Sequence, residues 1–366
     1  MNLLIMSSST GGGHNMRAYA LRDWWEANGG KAMVSQPLET TFKLYKYGSD
    51  FYNFIQKYCP RFHLFYFFFL EFANLHRKKE IIFGSAAWVQ EVIHFQPDVV
   101  VSVHAHLNHG YFQILKENLP SKFKFVIYCG EMSDSLGFSR HWVNCDADYF
   151  LGPFSETCDA AIKRGMPKDK TLEVEPLLRT SFYKDLTKQE KNAVLTKYEI
   201  QTTKPILLLG TGANGVNRHL QVLSSLHKLE HNFQVVALCG RNLEIYNKIL
   251  LQKDKYDFKV IPLQIIDDYE MAVLLESSKL FFTRPGAGST TEAVVSGTPV
   301  IFDISGGIMP QERNNLNFWS SRSSGLITLK NPMDISKYIS NSIPWIKVEL
   351  GTSPNKLITH LEKICN

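Results

Sequence analysis

The sequence has no apolar run approaching the roughly 18 residues that a membrane-crossing helix needs. It has no block of lysines and arginines of the kind that marks a nucleic-acid footprint, so no nucleic-acid partner is expected. Its six cysteines, Cys59, Cys129, Cys145, Cys158, Cys239 and Cys365, are scattered and form no C-x-x-C pair. With no recognisable signal peptide either, reduced thiols in a cytosolic protein are the expectation. What remains is a chain of 366 residues, 44% hydrophobic and 20% charged, long enough for two domains with a sizeable core. The net charge of +5 is mild and suits a surface that meets anionic lipid.

One stretch organises the rest: Thr283-Arg284-Pro285-Gly286-Ala287-Gly288-Ser289-Thr290-Thr291-Glu292. An apolar run at 279–282 leads into it and a helical pattern at 289–296 follows. The glycines therefore sit between a strand and a helix N-terminus. Gly286 and Gly288 let the backbone approach a ligand closely. Ser289, Thr290 and the N–H groups of the first helical turn can bind phosphate oxygens, helped by the helix dipole. Glu292, one turn in, can accept hydrogen bonds from two vicinal hydroxyls such as a ribose offers. The competing reading is a capping box, Ser289-x-x-Glu292, with the carboxylate closing back on the backbone.

The first half opens with a strand at 3–6, a loop holding Gly11, Gly12 and Gly13, and a helix at about 14–28. Strand, glycine loop and helix begin a Rossmann-like domain. Further strands are predicted near 32–35 and at 98–103, 123–128, 148–151 and 172–174, with a helix at 155–164. Runs such as Val99-Val100-Val101 read as strands buried on both faces of a parallel sheet. Residues 41–83 break the pattern with an aromatic and basic insertion. Its run from Phe62 to Phe72, including Phe67 and Phe68, is too short to span a bilayer but suits a helix lying in the interface. A core helix hairpin is the alternative.

After a turn-prone linker at 176–182 the plan repeats. Strands are expected at 206–209, 234–238, 258–261, 279–282 and 300–302. Helices are expected near 216–229, 243–252, 268–277, 289–296, 311–321 and 333–341. The expected class is α/β, two Rossmann-like domains facing a central cleft, the default ligand site. Their bounds are 1–175 for a domain that carries the aromatic insertion and 176–345 for a domain that carries the Gly286 loop. A C-terminal helix at 346–366 can cross back to the first domain.

Four constellations carry candidate chemistry. Gly210-Thr211-Gly212-Ala213-Asn214-Gly215 matches G-x-G-x-x-G after a strand. The next strand, however, ends in Cys239-Gly240-Arg241-Asn242 without the ribose-binding acid of a dinucleotide site, which leaves an NADP reading through Arg241 as an alternative. His104-Ala105-His106-Leu107-Asn108-His109 resembles a zinc-gripping H-x-H-x-D-H motif with Asn108 in place of the aspartate; the plainer reading is a polar cleft loop. His14 lies at a helix N-terminus, whose dipole disfavours its charged form and makes it a candidate neutral base. Gln311 and Glu312 open a helix after Gly306-Gly307 and could bind sugar hydroxyls or simply cap that helix.

Together these stretches resemble the monogalactosyldiacylglycerol synthase group, which includes bacterial diacylglycerol glucosyltransferases. They are also similar to the more distant peptidoglycan transferase that adds GlcNAc to lipid I. The markers are Ser8-Ser9-Thr10-Gly11-Gly12-Gly13-His14 with Arg17-Ala18, then Arg284-Pro285-Gly286-Ala287-Gly288 with Glu292, then Pro310-Gln311-Glu312-Arg313-Asn314. The resemblance runs over nearly the whole chain. It implies a GT-B fold and an inverting transfer from a UDP-sugar that requires no metal or other cofactor. By it, His14 matches the base and Arg179 an arginine near the diphosphate. Gly286, Ala287, Gly288, Ser289 and Thr290 match the phosphate loop, and Glu292 the ribose acid. Gln311 and Glu312 match the pair at the donor sugar, while Gly212, Gly240 and Ile266 lie along the nucleotide. Gly12, Gly13, Trp142, Phe67 and Phe68 fall on the acceptor or lipid side. The chain departs from the galactolipid members at Ser9, where they have aspartate, and at Gly137-Phe138-Ser139-Arg140-His141-Trp142, where they have His-Pro-Thr-Trp.

The expected protein is a UDP-sugar hexosyltransferase acting on a lipid hydroxyl, with diacylglycerol as the implied acceptor. It would be cytoplasmic and peripheral on the inner face of an anionic membrane. A polyprenyl-linked or other acceptor, a UDP-sugar 2-epimerase and a catalytically silent nucleotide-binding module are the alternatives.

Overall fold

Two six-stranded sheets, one in each half of the chain and parallel throughout, carry the fold. A computed structural model describes every residue except 11, 42–46, 49, 52–53, 56–61, 75–76, 136, 211–217, 228–231, 324–325, 340–353 and 366. Two compact units result. One comprises Met1–Thr180, Met309–Asn314 and Leu350–Asn366; the other comprises Ser181–Ile308 and Asn315–Glu349.

In the first unit the strands are β1 (Asn2–Met6), β2 (Lys31–Ser35), β3 (Val99–Ser102), β4 (Lys124–Tyr128), β5 (Tyr149–Gly152) and β6 (Thr171–Glu173), in the order β2-β1-β3-β4-β5-β6. Its helices of eight residues or more are α1 (Gly13–Ala27), α2 (His63–Ala73), α3 (Ala86–Phe95), α4 (Gly110–Asn118) and α5 (Ser155–Lys163). The period of two in the strands decides what covers each face. Leu3, Ile5, Val99 and Val101 share one core with Ala18 and Leu21 of α1. Leu4, Met6 and Val100 share the other with Trp88 and Val92 of α3 and Tyr111 and Leu115 of α4. All three valines of the β3 run are fully buried, and each such side chain contributes about 1.5–3 kcal/mol. The helix Asn355–Cys365 adds Leu357, Ile358 and Leu361 to the core beneath α1.

The second unit places β7 (Ile206–Leu209), β8 (Gln234–Leu238), β9 (Lys259–Leu263), β10 (Ser278–Thr283), β11 (Val300–Asp303) and β12 (Ile327–Leu329) in the order β12-β11-β10-β7-β8-β9. Its helices are α6 (Lys188–Lys197), α7 (His219–Leu226), α8 (Leu243–Gln252), α9 (Asp268–Ser277), α10 (Ala287–Val295) and α11 (Pro310–Arg322), the last continuing out of the segment that belongs to the first unit. The terminal Asn355–Cys365 is α12. Strand β12 has no counterpart among the expected strands, because three residues give too short a run to read. The helix expected at 333–341 is a 3-10 turn, Pro332–Ile335, and one helical turn, Ser336–Ile339, within the described residues.

In each sheet the strand order reverses once, between β1 and β3 and between β7 and β10. Ligands of open parallel sheets bind at the carboxyl ends of the strands flanking such a reversal.

Candidate active site

At the first reversal, β1 leads into a loop fixed from below. Glu39 Oε1 accepts from Ser8 Oγ at 2.8 Å and Ser9 N at 2.7 Å, and Ser7 Oγ donates to Asn15 Oδ1 at 2.7 Å. Gly12 caps α1 in the left-handed region, φ 77°, which a β-carbon would strain. Gly13 and His14 follow in the first turn. The loop after β3 comes alongside, and His14 Nδ1 donates to Val103 O at 2.7 Å. A carbonyl can only accept, so Nδ1 holds the proton and the neutral ring offers its Nε2 lone pair. His104 stands edge to face against it, 4.5 Å between centroids. His104 Nδ1 accepts from His106 N at 3.3 Å, which leaves Nε2 to donate to Thr10 Oγ1 at 2.9 Å. Trp142 closes the group, its ring centroid 6.1 Å from that of His14.

His14 is half-buried, and its pKa is lowered to about 4. Burial is the main cause and the Arg17 guanidinium, one turn along α1, the second; the bond to Val103 O works in the other direction. The neutrality expected from the helix dipole is thus present for a different reason. Arg17 also donates to Gly130 O at 2.9 Å, and a β-carbon at Gly130 would come within 2.1 Å of the guanidinium carbon.

Beside Gly130 lies a group that the sequence did not single out. Glu131, in the loop after β4, is raised to about 7, chiefly by burial, with Arg17 and a hydrogen bond to Trp142 opposing the shift. The first unit therefore joins an imidazole that is uncharged at neutral pH to a carboxyl that changes charge near pH 7, both beside one guanidinium. The sequence signal is an acid three residues after the end of a buried parallel strand.

The histidine motif after β3 supports this group. Besides the roles of His104 and His106, Asn108 Nδ2 donates to His141 O at 3.2 Å and Trp142 O at 3.3 Å, holding the turn that carries Trp142. Among the described residues no three His, Cys, Asp or Glu side chains gather as a metal-holding group. Trp142 itself is buried in the core beside Phe138 and Val143, so it presents no open ring surface.

At the second reversal, Gly210 N donates to Phe282 O at 2.8 Å, bringing the loops after β7 and β10 together. Gly212 lies outside the described residues. Helix α10 begins at Ala287 with Gly286 as its N-cap, two residues earlier than expected, and no side chain caps it. The capping box Ser289-x-x-Glu292 is therefore not formed at this helix start, and Glu292 lies in the second turn, 4% exposed. The N–H groups of Ala287, Gly288 and Ser289 precede the first helical hydrogen bond, Thr290 N to Gly286 O, and suit an anion. Thr290 differs from expectation. Its hydroxyl donates to Gly286 O at 2.7 Å and accepts from Trp319 Nε1 at 3.1 Å, so the side chain braces the loop from behind.

Arg284 Nη2 donates to Gly307 O at 2.8 Å and Asn315 Nδ2 to Pro285 O at 2.8 Å, which pin the same loop from the α11 side. Gly240 follows β8 and half-buried Ile266 precedes α9, both at carboxyl ends of strands in this sheet. Arg179 is half-buried at the end of the first unit. Glu312 Oε2 accepts from Met309 N at 3.0 Å, so this carboxylate does serve its helix start, although it is buried rather than on the surface. Gln311 Oε1 is enclosed without a hydrogen-bond partner among the described residues.

Residues 206–321 match the model of the glycosyltransferase family 28 C-terminal domain. That stretch is a family 28 C-terminal domain. Over most of its length this glycosyltransferase is similar to monogalactosyldiacylglycerol synthase 3, chloroplastic, of Arabidopsis thaliana, 24% identical over 95% of this chain and 75% of that protein. It is similar in the same degree, 24%, to the processive diacylglycerol beta-glucosyltransferase of Bacillus licheniformis, over 89% of this chain and 82% of the relative. Among solved structures, MurG of Acinetobacter baumannii superposes with a TM-score of 0.58 at 13% identity, over 99% of both chains. UDP-GlcNAc 2-epimerase of Neisseria meningitidis superposes at 0.62 with 11% identity, over 99% of this chain and 100% of that one. The fold is GT-B, and the protein is a hexosyltransferase related to galactolipid and glucosyl-diacylglycerol synthases.

Proposed function

We propose that this glycosyltransferase moves galactose or glucose from a UDP-sugar to a lipid hydroxyl, with diacylglycerol as the acceptor, inverting the anomeric centre and using no metal. In this reading His14 Nε2 takes the hydroxyl proton as the acceptor oxygen bonds to the anomeric carbon. The bond to the phosphate oxygen breaks and UDP leaves with the electron pair. The first-turn N–H groups of α10 and Arg179 take up the charge on the diphosphate. Glu292 holds the ribose. The enclosed Gln311 Oε1 is an acceptor that a sugar hydroxyl would satisfy, and Glu312 beside it keeps the helix start in place.

The observation that carries the reading is His14, a neutral imidazole whose Nδ1 is committed to Val103 O and whose Nε2 is the basic atom. Support for a lipid acceptor comes from the relatives and from α2. Phe65, Phe69 and Phe72 on that helix are 67%, 52% and 77% exposed, more apolar surface than a helix facing water carries. Peripheral contact with the cytoplasmic leaflet is proposed on this surface; no helix among the described residues is long and apolar enough to cross a membrane. A matrix of UDP-galactose, UDP-glucose and UDP-GlcNAc against diacylglycerol, polyprenyl-linked and soluble acceptors, read by mass spectrometry, tests the proposal. A hexosyl-diacylglycerol product is expected. Conversion of UDP-GlcNAc without an acceptor, or no product with any lipid, would overturn it.

A further inference from the structure

Helix α2 is amphipathic in the inverted sense. Its outward stripe, Phe65, Phe68, Phe69 and Phe72 at helical spacing, is apolar, while a carboxylate, Glu71, faces the protein. A charge turned inward needs partners, and among the described residues they come from one turn. Glu71 Oε1 accepts from Ser139 Oγ and Oε2 from Arg140 N at 3.0 Å. Arg140 Nη2 reaches back to Glu71 O and to Asn74 Oδ1, the latter at 2.8 Å, and His141 Nε2 donates to Leu70 O at 3.3 Å. The next residue is Trp142, which lies against His14 and bonds Glu131. The same turn is held from inside by Asn108. A row of rings joins the two ends: His141 to His106 at 5.0 Å, His106 to His104 at 5.6 Å, His104 to His14 at 4.5 Å.

We infer that Glu71 is a positioning residue for the transfer: it fastens the aromatic helix to the turn at 139–142, so that a lipid surface engaging α2 sets the placement of Trp142 against His14. The inference rests on the lipid acceptor proposed above. Glu71 touches no reacting group; it acts through the turn. Its loss should therefore change turnover and the cover over His14, leaving the nucleotide site and the outward rings as they are.

The test compares full-length Glu71→Ala and Glu71→Gln with the wild type. Sedimentation with phosphatidylglycerol vesicles containing diacylglycerol reads membrane binding, and steady-state kinetics separate kcat from the donor KM. Carbethoxylation of His14 by diethyl pyrocarbonate, mapped by peptide mass spectrometry, reads the cover over the ring whether or not the protein is active. For Glu71→Ala, kcat should fall about tenfold with donor KM and vesicle binding within twofold, and His14 should be labelled severalfold faster. Glu71→Gln, whose single amide oxygen can accept from Arg140 N while its NH2 donates to Ser139 Oγ, should restore most of both. If Glu71→Ala does not fold, by thermal melting and UDP binding, Arg140→Ala removes the latch from the other side and carries the same expectations. Wild-type labelling and turnover in the folded variant would overturn the inference. Should the wild type glycosylate no lipid at all, the functional reading fails, and the labelling rate still decides the role of Glu71.

Discussion

The imidazole rings of His14 and His104 meet edge to face, their planes at 70° and their centroids 4.5 Å apart. One follows β1 and the other β3, strands that are neighbours in the sheet and separated by more than ninety residues of chain. The contact exists because the strand order reverses there, and it sets His14 where a base can be held neutral.

Loss of His14, the base proposed above, should cut turnover by about 10²–10⁴, the size of a general-base contribution. His14→Ala is expected to show this in kcat, with the donor KM close to wild type, since the imidazole acts on the acceptor hydroxyl. Near-normal turnover in the variant would remove His14 from the mechanism.

The pH profile should have two inflections with different owners. His14, lowered to about 4, remains the free base down to mildly acidic pH and governs only the lowest limb. Glu131, raised to about 7, gains its proton as the pH falls through neutrality and then no longer balances Arg17, so activity should begin to fall there. Glu131→Gln is expected to abolish the inflection near 7 and keep the lower one. A profile identical to wild type would show that the charge of Glu131 is irrelevant to the rate.

Stability should also depend on acid. His14, His109 and His219 are each lowered from 6.5 to about 4, burial being the leading cause in all three. A histidine whose native value lies below its unfolded one takes a proton more readily when unfolded. Its contribution is complete above about 6.5 and is lost as the pH falls toward 4, at up to about 1.4 kcal/mol per pH unit for each. His219, whose Nε2 donates to Leu238 O at 2.8 Å in the second unit, isolates the effect. Denaturant titrations between pH 7 and 5 should show a shallower loss for His219→Gln than for the wild type.

Nucleotide affinity should depend on Glu292. Hydrogen bonds to a charged group contribute about 1.5–3 kcal/mol each, so Glu292→Ala should weaken UDP binding at least about tenfold. Calorimetry with UDP checks this. Unchanged affinity would assign the buried carboxylate to holding α10 alone.

The aromatic helix divides into two kinds of ring. Serine at Phe65, Phe69 and Phe72 together should release the protein from anionic vesicles with UDP binding intact, since all three are largely exposed. Phe67, 8% exposed, should behave as core, and Phe67→Ala should cost about 3 kcal/mol or more of stability. Vesicle binding that survives the triple variant would move lipid contact elsewhere.

The parallel strands were legible because runs such as Val99-Val100-Val101 have few other uses, and both glycine loops were legible as punctuation between strand and helix. Residues whose meaning depends on distant partners were not. Glu131 is an unremarked acid until Arg17, 114 positions earlier, and Trp142 close on it. Thr290 looks like a phosphate ligand until Trp319 turns its hydroxyl inward. The start of α10 was misplaced by two residues because a glycine N-cap leaves no side-chain signal. Phe67 and Phe68 are indistinguishable by composition, and only the helical period turns one in and the other out.

Helix α12 completes the core under α1, where Leu357, Ile358 and Leu361 meet Leu3 and Ile5 of β1. During synthesis those partners leave the ribosome at opposite ends of the chain. The strands of the second unit, all between Ile206 and Leu329, are available for pairing before that happens. The first unit, begun earliest, is therefore completed last, its core lacking α12 through the synthesis of its successor. A chain ending before residue 355 would hold every strand of the second unit and lack the helix that completes the core of the first.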